Sequence, residues 1–310
     1  MLCFAAFVAL AIQDRVGDNL VPSGQLLDPV GKHIVIGGRP VDLAVSGDGK
    51  YVLAKFSRGV EVIKTADMTV ASEKLFATGA SMHGLVCTPS GDVFYTDARS
   101  NVQRGHLNDD GHIDWNTAPF ILPKPKVGGE AYGCGIAPLA NGDLAVCASR
   151  SNTVVLIDKG GTMSSIDVDV CPFGIATTSD GKTAWVTCWG RKPGRHSAMS
   201  SGSAIDVDDR GVATGGMVDI IDLEQKKVVA SLKTGLQPSQ ILINEGVAYV
   251  ANANSDTLGV YDVKAQKRIR EVVVKPDLQL PFGSAPNALA ISPDNKELYV
   301  ACGATTRLGS

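Results

Sequence analysis

The chain has 310 residues, 44% of them hydrophobic and 20% charged, enough apolar content for a sizeable core and too much for disorder, collagen or a coiled coil. Its 29 Lys and Arg against 32 Asp and Glu leave a net charge of −3, which provides no basic footprint for nucleic acid. Glycine at 34 and proline at 15, with only 5% aromatics, indicate many tight turns.

Residues 2–12, Leu-Cys-Phe-Ala-Ala-Phe-Val-Ala-Leu-Ala-Ile, form an apolar run shorter than the roughly 20 residues that cross a bilayer, so no stable membrane span is expected. The run reads as the apolar region of a signal peptide covering residues 1–11, with Ala9-Leu10-Ala11 as the small-x-small cleavage pattern. A linker at 12–31 follows. The basic residues that normally precede such a run are absent, which leaves a misassigned start Met, a chain cut from a longer one, or a buried first helix as alternatives. A periplasmic or secreted location is expected. Beyond Cys3, six cysteines remain, and Cys87, Cys134, Cys147, Cys171, Cys188 and Cys302 lie mostly in apolar runs, where a thiol packs as a small hydrophobe. There is no Cys-x-x-Cys pair and the histidines are scattered, so neither metal nor cofactor is expected.

From residue 32 onward the chain repeats itself. Pro40-Val41-Asp42-Leu43-Ala44-Val45-Ser46-Gly47-Asp48-Gly49-Lys50-Tyr51-Val52 returns at Pro172 to Val186 and again at Pro286 to Val300, with weaker copies near Met82, Gly133 and Pro238. Each copy is an apolar run, a turn rich in Asp, Asn and Gly, and a second apolar run, which is the pattern of a two-stranded hairpin. Third runs such as Thr153 to Asp158, Met217 to Asp222 and Leu258 to Asp262 follow, then more polar fourth runs such as Lys227 to Leu232 and Arg268 to Val274. Four antiparallel strands recurring every 40–65 residues describe the blades of an all-β propeller, here assigned to residues 32–310. A β-sandwich gives no reason for the same strand-turn-strand phrase to recur.

The wording of the repeat, with Tyr249-Val250-Ala251-Asn252 and Tyr299-Val300-Ala301-Cys302, resembles the YVTN repeat of YncE-type and lactonase-like seven-bladed propellers. The resemblance spans residues 32–303 and implies fold more than chemistry. The blade-four insertion, from Cys188-Trp189-Gly190-Arg191 to Gly211-Val212-Ala213, resembles exported bacterial proteins in which a propeller precedes an alkaline-phosphatase-like phosphoesterase domain. With His33-Ile34-Val35-Ile36 taken as an outer strand that completes the last blade, five full blades and a two-stranded sixth are expected. Closing a seven-bladed ring would require about 60 further residues.

Propellers present ligands on the face where second-to-third strand turns and inner-strand starts meet. The equivalent inner-strand positions are Val41, His83, Cys134, Phe173, Ser239 and Asn287, and His83 alone among them can act as an acid or base near neutral pH. Arg58, Arg99, Arg150 and Arg191 superpose to within about a residue in the second-to-third turns, where blade five has Asn252 and Asn254 instead. Such a rim suits a small carboxylate, sulfate or phosphate, although exposed turn arginines also serve simply as solvated charge. Trp189 is a further candidate on that face, and the insertion at 190–215 that follows it adds Arg195 and His196, either as a lid or as a flexible excursion.

No nucleophile elbow, zinc-protease helix or phosphate loop is present. The expected function is therefore a ligand- or protein-binding module. The alternative is a lactonase-like or phosphoester hydrolase using His83, Glu130 and Arg150 at the channel mouth.

Overall fold

A computed structural model describes residues 32–126, 128–191, 197–200, 203–275 and 283–303. The chain divides into units at residues 1–35 and 36–310. Of the first unit only 32–35 are described, and 32–36 carry no strand, so the expected outer strand at 33–36 is not formed. A signal peptide at 1–11 and a linker at 12–31 lie outside the described residues.

Among its described residues the second unit holds five four-stranded antiparallel sheets, spanning 40–75, 80–121, 133–167, 170–234 and 238–273, a two-stranded sheet at 286–302 and a small two-stranded hairpin at 197–206. The four-stranded sheets and the sheet at 286–302 are the blades of a β-propeller. The regular non-strand element among the described residues is a single 3₁₀ turn, Ser149–Ser151. Strand boundaries follow the sequence pattern: the expected runs at 153, 217 and 258 become Thr153–Ile157, Gly216–Asp222 and Thr257–Asp262.

The recurring turn explains why the phrase repeats. Ser46 Oγ donates to Asp48 Oδ1 at 2.7 Å, Lys50 N donates to the same oxygen at 3.1 Å, and Gly49 takes the left-handed conformation at φ 72°. Thr178, Asp180, Lys182 and Gly181 rebuild it, and so do Ser292, Asp294, Lys296 and Asn295. The Lys50 ammonium and the Ser46 hydroxyl hold the Asp48 carboxyl below its ordinary range.

The core lies between blades. Tyr51, Leu53, Val60 and Val62 of the first blade pack on Leu85, Val93, Tyr95 and Leu107 of the second. Trp185, Val218 and Ile220 of the fourth pack on Ile241, Ala248, Val250 and Tyr261 of the fifth. A strand with one blade on each face must be apolar on both, which accounts for the fully buried Leu144–Ala148 and Thr153–Ile157.

Each inner strand is bulged near its start, and there neighbouring blades come closest. A methyl group on Gly174 would lie 2.5 Å from Ser239 O and 3.1 Å from Thr187 Oγ1. Gly174→Ala is therefore expected to lower stability by about 1–3 kcal/mol through overpacking, read as a reduced urea midpoint. Gly215→Ala, with nothing within 4 Å, should leave the midpoint within experimental error of the parent.

Candidate functional site

One face of the propeller is fixed by a repeated backbone bond. In five of the six blades the residue that follows the second strand donates to a carbonyl just ahead of the same blade's inner strand: Ser57 to Arg39, Ala98 to Gly79, Ser149 to Tyr132, Ala253 to Gln237 and Gly303 to Ala285. The second-to-third turns and the inner-strand starts therefore share a face; of the inner-strand positions, Cys134, Phe173 and Ser239 are buried, Val41 and His83 are partly exposed and Asn287 is exposed.

His83 is held on this face by an arrangement that the other blades lack. In blade two the pairing jumps from Ala80↔Asp97 to Leu85↔Tyr95, so residues 81–84 stand opposite Thr96 alone. In blades four and five the corresponding jump is shorter, from Pro172↔Cys188 to Ile175↔Val186 and from Pro238↔Asn252 to Ile241↔Val250. The longer bulge breaks ladder hydrogen bonds, and a buried lysine from blade one replaces them. Lys55, with no solvent exposure, donates to Ser81 Oγ, His83 O and Thr96 O, each at 2.9 Å, and approaches Gly84 O at 3.3 Å. Its ammonium also lies 4.6 Å from the centre of the Tyr95 ring.

Asp42 grips the bulge from the amide side. Its Oδ2 accepts Gly84 N at 2.7 Å and Leu85 N at 2.9 Å, and lies 2.9 Å from His83 Nδ1. Burial pushes this carboxyl upward, but the nearby His83 and Lys55 and the Leu85 amide outweigh it and hold Asp42 below its ordinary value. Burial also pulls the Lys55 ammonium down to about 7, against the opposing charge of Asp42. Gly84 makes the approach possible: at φ 103°, a methyl there would strike Cys134 O at 2.1 Å. The His83 ring retains 20% side-chain exposure and stacks on Phe173 at 5.6 Å, which in turn stacks on Trp189 at 5.0 Å. The product is an imidazole of fixed orientation with a carboxylate on one nitrogen and an aromatic platform beneath it.

The other expected site residues divide into exposed and buried sets. Arg58, Arg99 and Arg191 are exposed, while Arg150 is half-buried and donates from Nε to Gly128 O at 3.1 Å. Glu130 accepts Ser100 Oγ at 2.7 Å. His83, Glu130 and Arg150 are thus each engaged by a different partner, Asp42, Ser100 and Gly128, and no described hydrogen bond joins the three. Asn252 is fully buried between Thr234 and Thr257, where it ties strands together, whereas Asn254 is exposed. Trp189, 3% exposed, belongs to the core between blades three and four.

Arg195 and His196 lie outside the described residues. Part of the insertion is a hairpin of Ser197–Ser200 and Ser203–Asp206, and its Ile205 and Ala213 enter the same buried cluster as Phe173 and Trp189. This portion of the insertion is anchored to the blade rather than free of it. Cys134, Cys147 and Cys188 are free and buried, and burial raises all three thiols above their ordinary range, which keeps them protonated and unreactive.

Asp42 and Lys55 escaped the sequence reading although both left a trace there. Lys55 is the one charged residue in the apolar strand Tyr51–Phe56. Asp42 occupies a position that the other copies fill with Gly84, Gly135, Gly174, Gln240 and Ala288.

No protein-family model and no curated protein matches the chain. Solved structures do. Hydrazine synthase of Kuenenia stuttgartiensis superposes with a TM-score of 0.65 at 17% identity, over 87% of this chain and 76% of its own. Virginiamycin B lyase from Staphylococcus aureus gives 0.60 at 15% identity, over 84% and 76%. A functionally unknown protein from Desulfotomaculum acetoxidans gives 0.63 at 17% identity, over 94% and 86%. At these identities the likeness is one of fold, and the fold is the β-propeller.

Lys55 generates a pH prediction. An unfolded lysine keeps its proton up to about 10.5, whereas folded Lys55 releases it near 7. Between those values the unfolded chain binds more protons, so stability is expected to rise with pH across that window, and Lys55→Met should flatten the rise. Lys55→Met also removes the buried cation opposite Asp42 and one of the donors that the His83 and Thr96 carbonyls share with the Ser81 and Thr96 hydroxyls. Urea midpoints at pH 7 should fall by about 3–5 kcal/mol equivalent.

Proposed function

We propose that this propeller is a binding module that takes a small anionic ligand at the face carrying His83. The observation behind this reading is the His83 ring itself, clamped by Asp42, seated on Phe173 and still partly open to solvent. Site rigidity of this kind lowers the ordering cost of binding. Arg58 and Arg99 emerge from turns on the same face and would supply positive potential to a carboxylate, sulfate or phosphate. A YVTN-type, YncE-like relationship fits the repeat wording. Export fits the apolar run at 2–12, and the blade-four resemblance makes a phosphoesterase domain the natural partner for such a module.

The test is calorimetric titration of the full chain with inorganic phosphate, sulfate and a set of small carboxylates. At least one should bind, His83→Ala should weaken it tenfold or more, and Arg99→Ala should weaken it less and reduce its salt dependence. Equal affinity in His83→Ala would remove the site from this face.

The 2.9 Å contact between His83 and Asp42 also supports a hydrolase reading, because a carboxylate-oriented imidazole is a competent general base. Turnover of lactones or phosphate esters would have to vanish in His83→Gln. Activity that persists after changes at both His83 and Arg150 excludes this alternative.

A further inference from the structure

Glu61 and Glu73 face each other across the third and fourth strands of blade one, paired directly in the ladder. Like charges so placed are destabilising. Glu61 is 5% exposed; its Oε1 accepts Gly37 N at 2.7 Å, and its Oε2 is buried with no hydrogen-bond partner. The two carboxylates converge beside Gly37. A methyl built on that residue would lie 3.1 Å from Glu61 Oε1 and 3.2 Å from Glu73 Oε1.

Blade four shows how the same position is completed elsewhere. Asp219 pairs with Val186 on one side and Ser231 on the other, as Glu61 pairs with Ala54 and Glu73. Like Glu61, Asp219 accepts an amide from the segment that leads into its blade, Asp169 N at 2.7 Å. Its second oxygen accepts the Ser231 hydroxyl at 2.6 Å, so both carboxylate oxygens are satisfied. Blade one keeps the acid and the amide but replaces the serine donor with a second acid. The register also places Val52, Ala54, Phe56, Val70 and Leu75 around the pair, and none of these is a cation or a donor. A buried carboxylate oxygen left without a proton or a cation keeps the full desolvation penalty of its charge.

We propose that Glu61 and Glu73 form a site for a divalent hard cation, with Ca²⁺ the best fit. Two carboxylates from adjacent strands neutralise its charge, all the donors are oxygen, and its flexible shell accepts water for the remaining ligands. The ion would join the two outermost strands of blade one to the segment at Gly37.

The experiment is thermal unfolding of the full chain in chelator, then with CaCl₂ or MgCl₂ at about 5 mM, above the range of weak extracellular calcium sites. Calcium should raise the midpoint by several degrees, with magnesium weaker. Glu73→Gln should abolish that response. In chelator this variant should match or exceed the parent, because the new amide can donate to Glu61 as Ser231 does to Asp219. Glu61→Gln provides a second variant with the same expected loss of response. An unresponsive parent, or an equal shift in Glu73→Gln, overturns the proposal.

Discussion

In the first five blades neighbouring inner strands approach so closely that one position in each bulge is held by glycine or by a side chain that accepts a hydrogen bond from the next blade. Gly84, Gly135 and Gly174 take the first solution: a methyl on any of them would lie 2.1–2.7 Å from a carbonyl of the following inner strand. Asp42 and Gln240 take the second, accepting the amides of Leu85 and Leu289 in the next blade. This spacing sets how the blades stack. It also determines where a polar side chain can be placed at the centre without losing its partners.

The second strands use the same proximity one residue further on. Thr96 reaches Cys134 O and Thr187 reaches Ser239 O, both carbonyls of the next inner strand. At the equivalent place Lys55 extends further because the bulge it spans is longer. A buried ammonium requires acceptors on every side, and an overlong bulge has carbonyls that need a donor. Each solves the other's deficit, and the consequence is a histidine held in one orientation at the mouth. The local strain and the candidate site therefore have one origin.

The arginines illustrate the opposite case. They recur in the turns because the turns recur, and the backbone bonds that bring those turns to one face act through N–H and C=O rather than through guanidinium groups. Most remain exposed, where single ion pairs contribute little to stability. The insertion contributes differently, since Ile205 and Ala213 extend the core between blades three and four up to the Trp189 and Phe173 stack.

The repeat was legible in the amino-acid order because its signals are local. Ser-Gly-Asp-Gly-Lys folds its own turn through a side chain two residues away, and short continuous apolar runs announce strands buried on both faces. The inner ring, His83 included, followed from aligning the copies. The partners of His83 did not. Asp42 is 41 residues away and Lys55 is 28, and what joins them is a change in bulge length that a pattern of apolar letters does not record. Asn252 and Trp189 show the same limit: both sit beside the second-to-third turns in sequence, yet blade packing turns them inward. The sequence by itself determined the strands, their turns and their order, because those depend on neighbours along the chain. Tertiary structure alone decided which polar side chains meet, because the close approach of successive blades selects them.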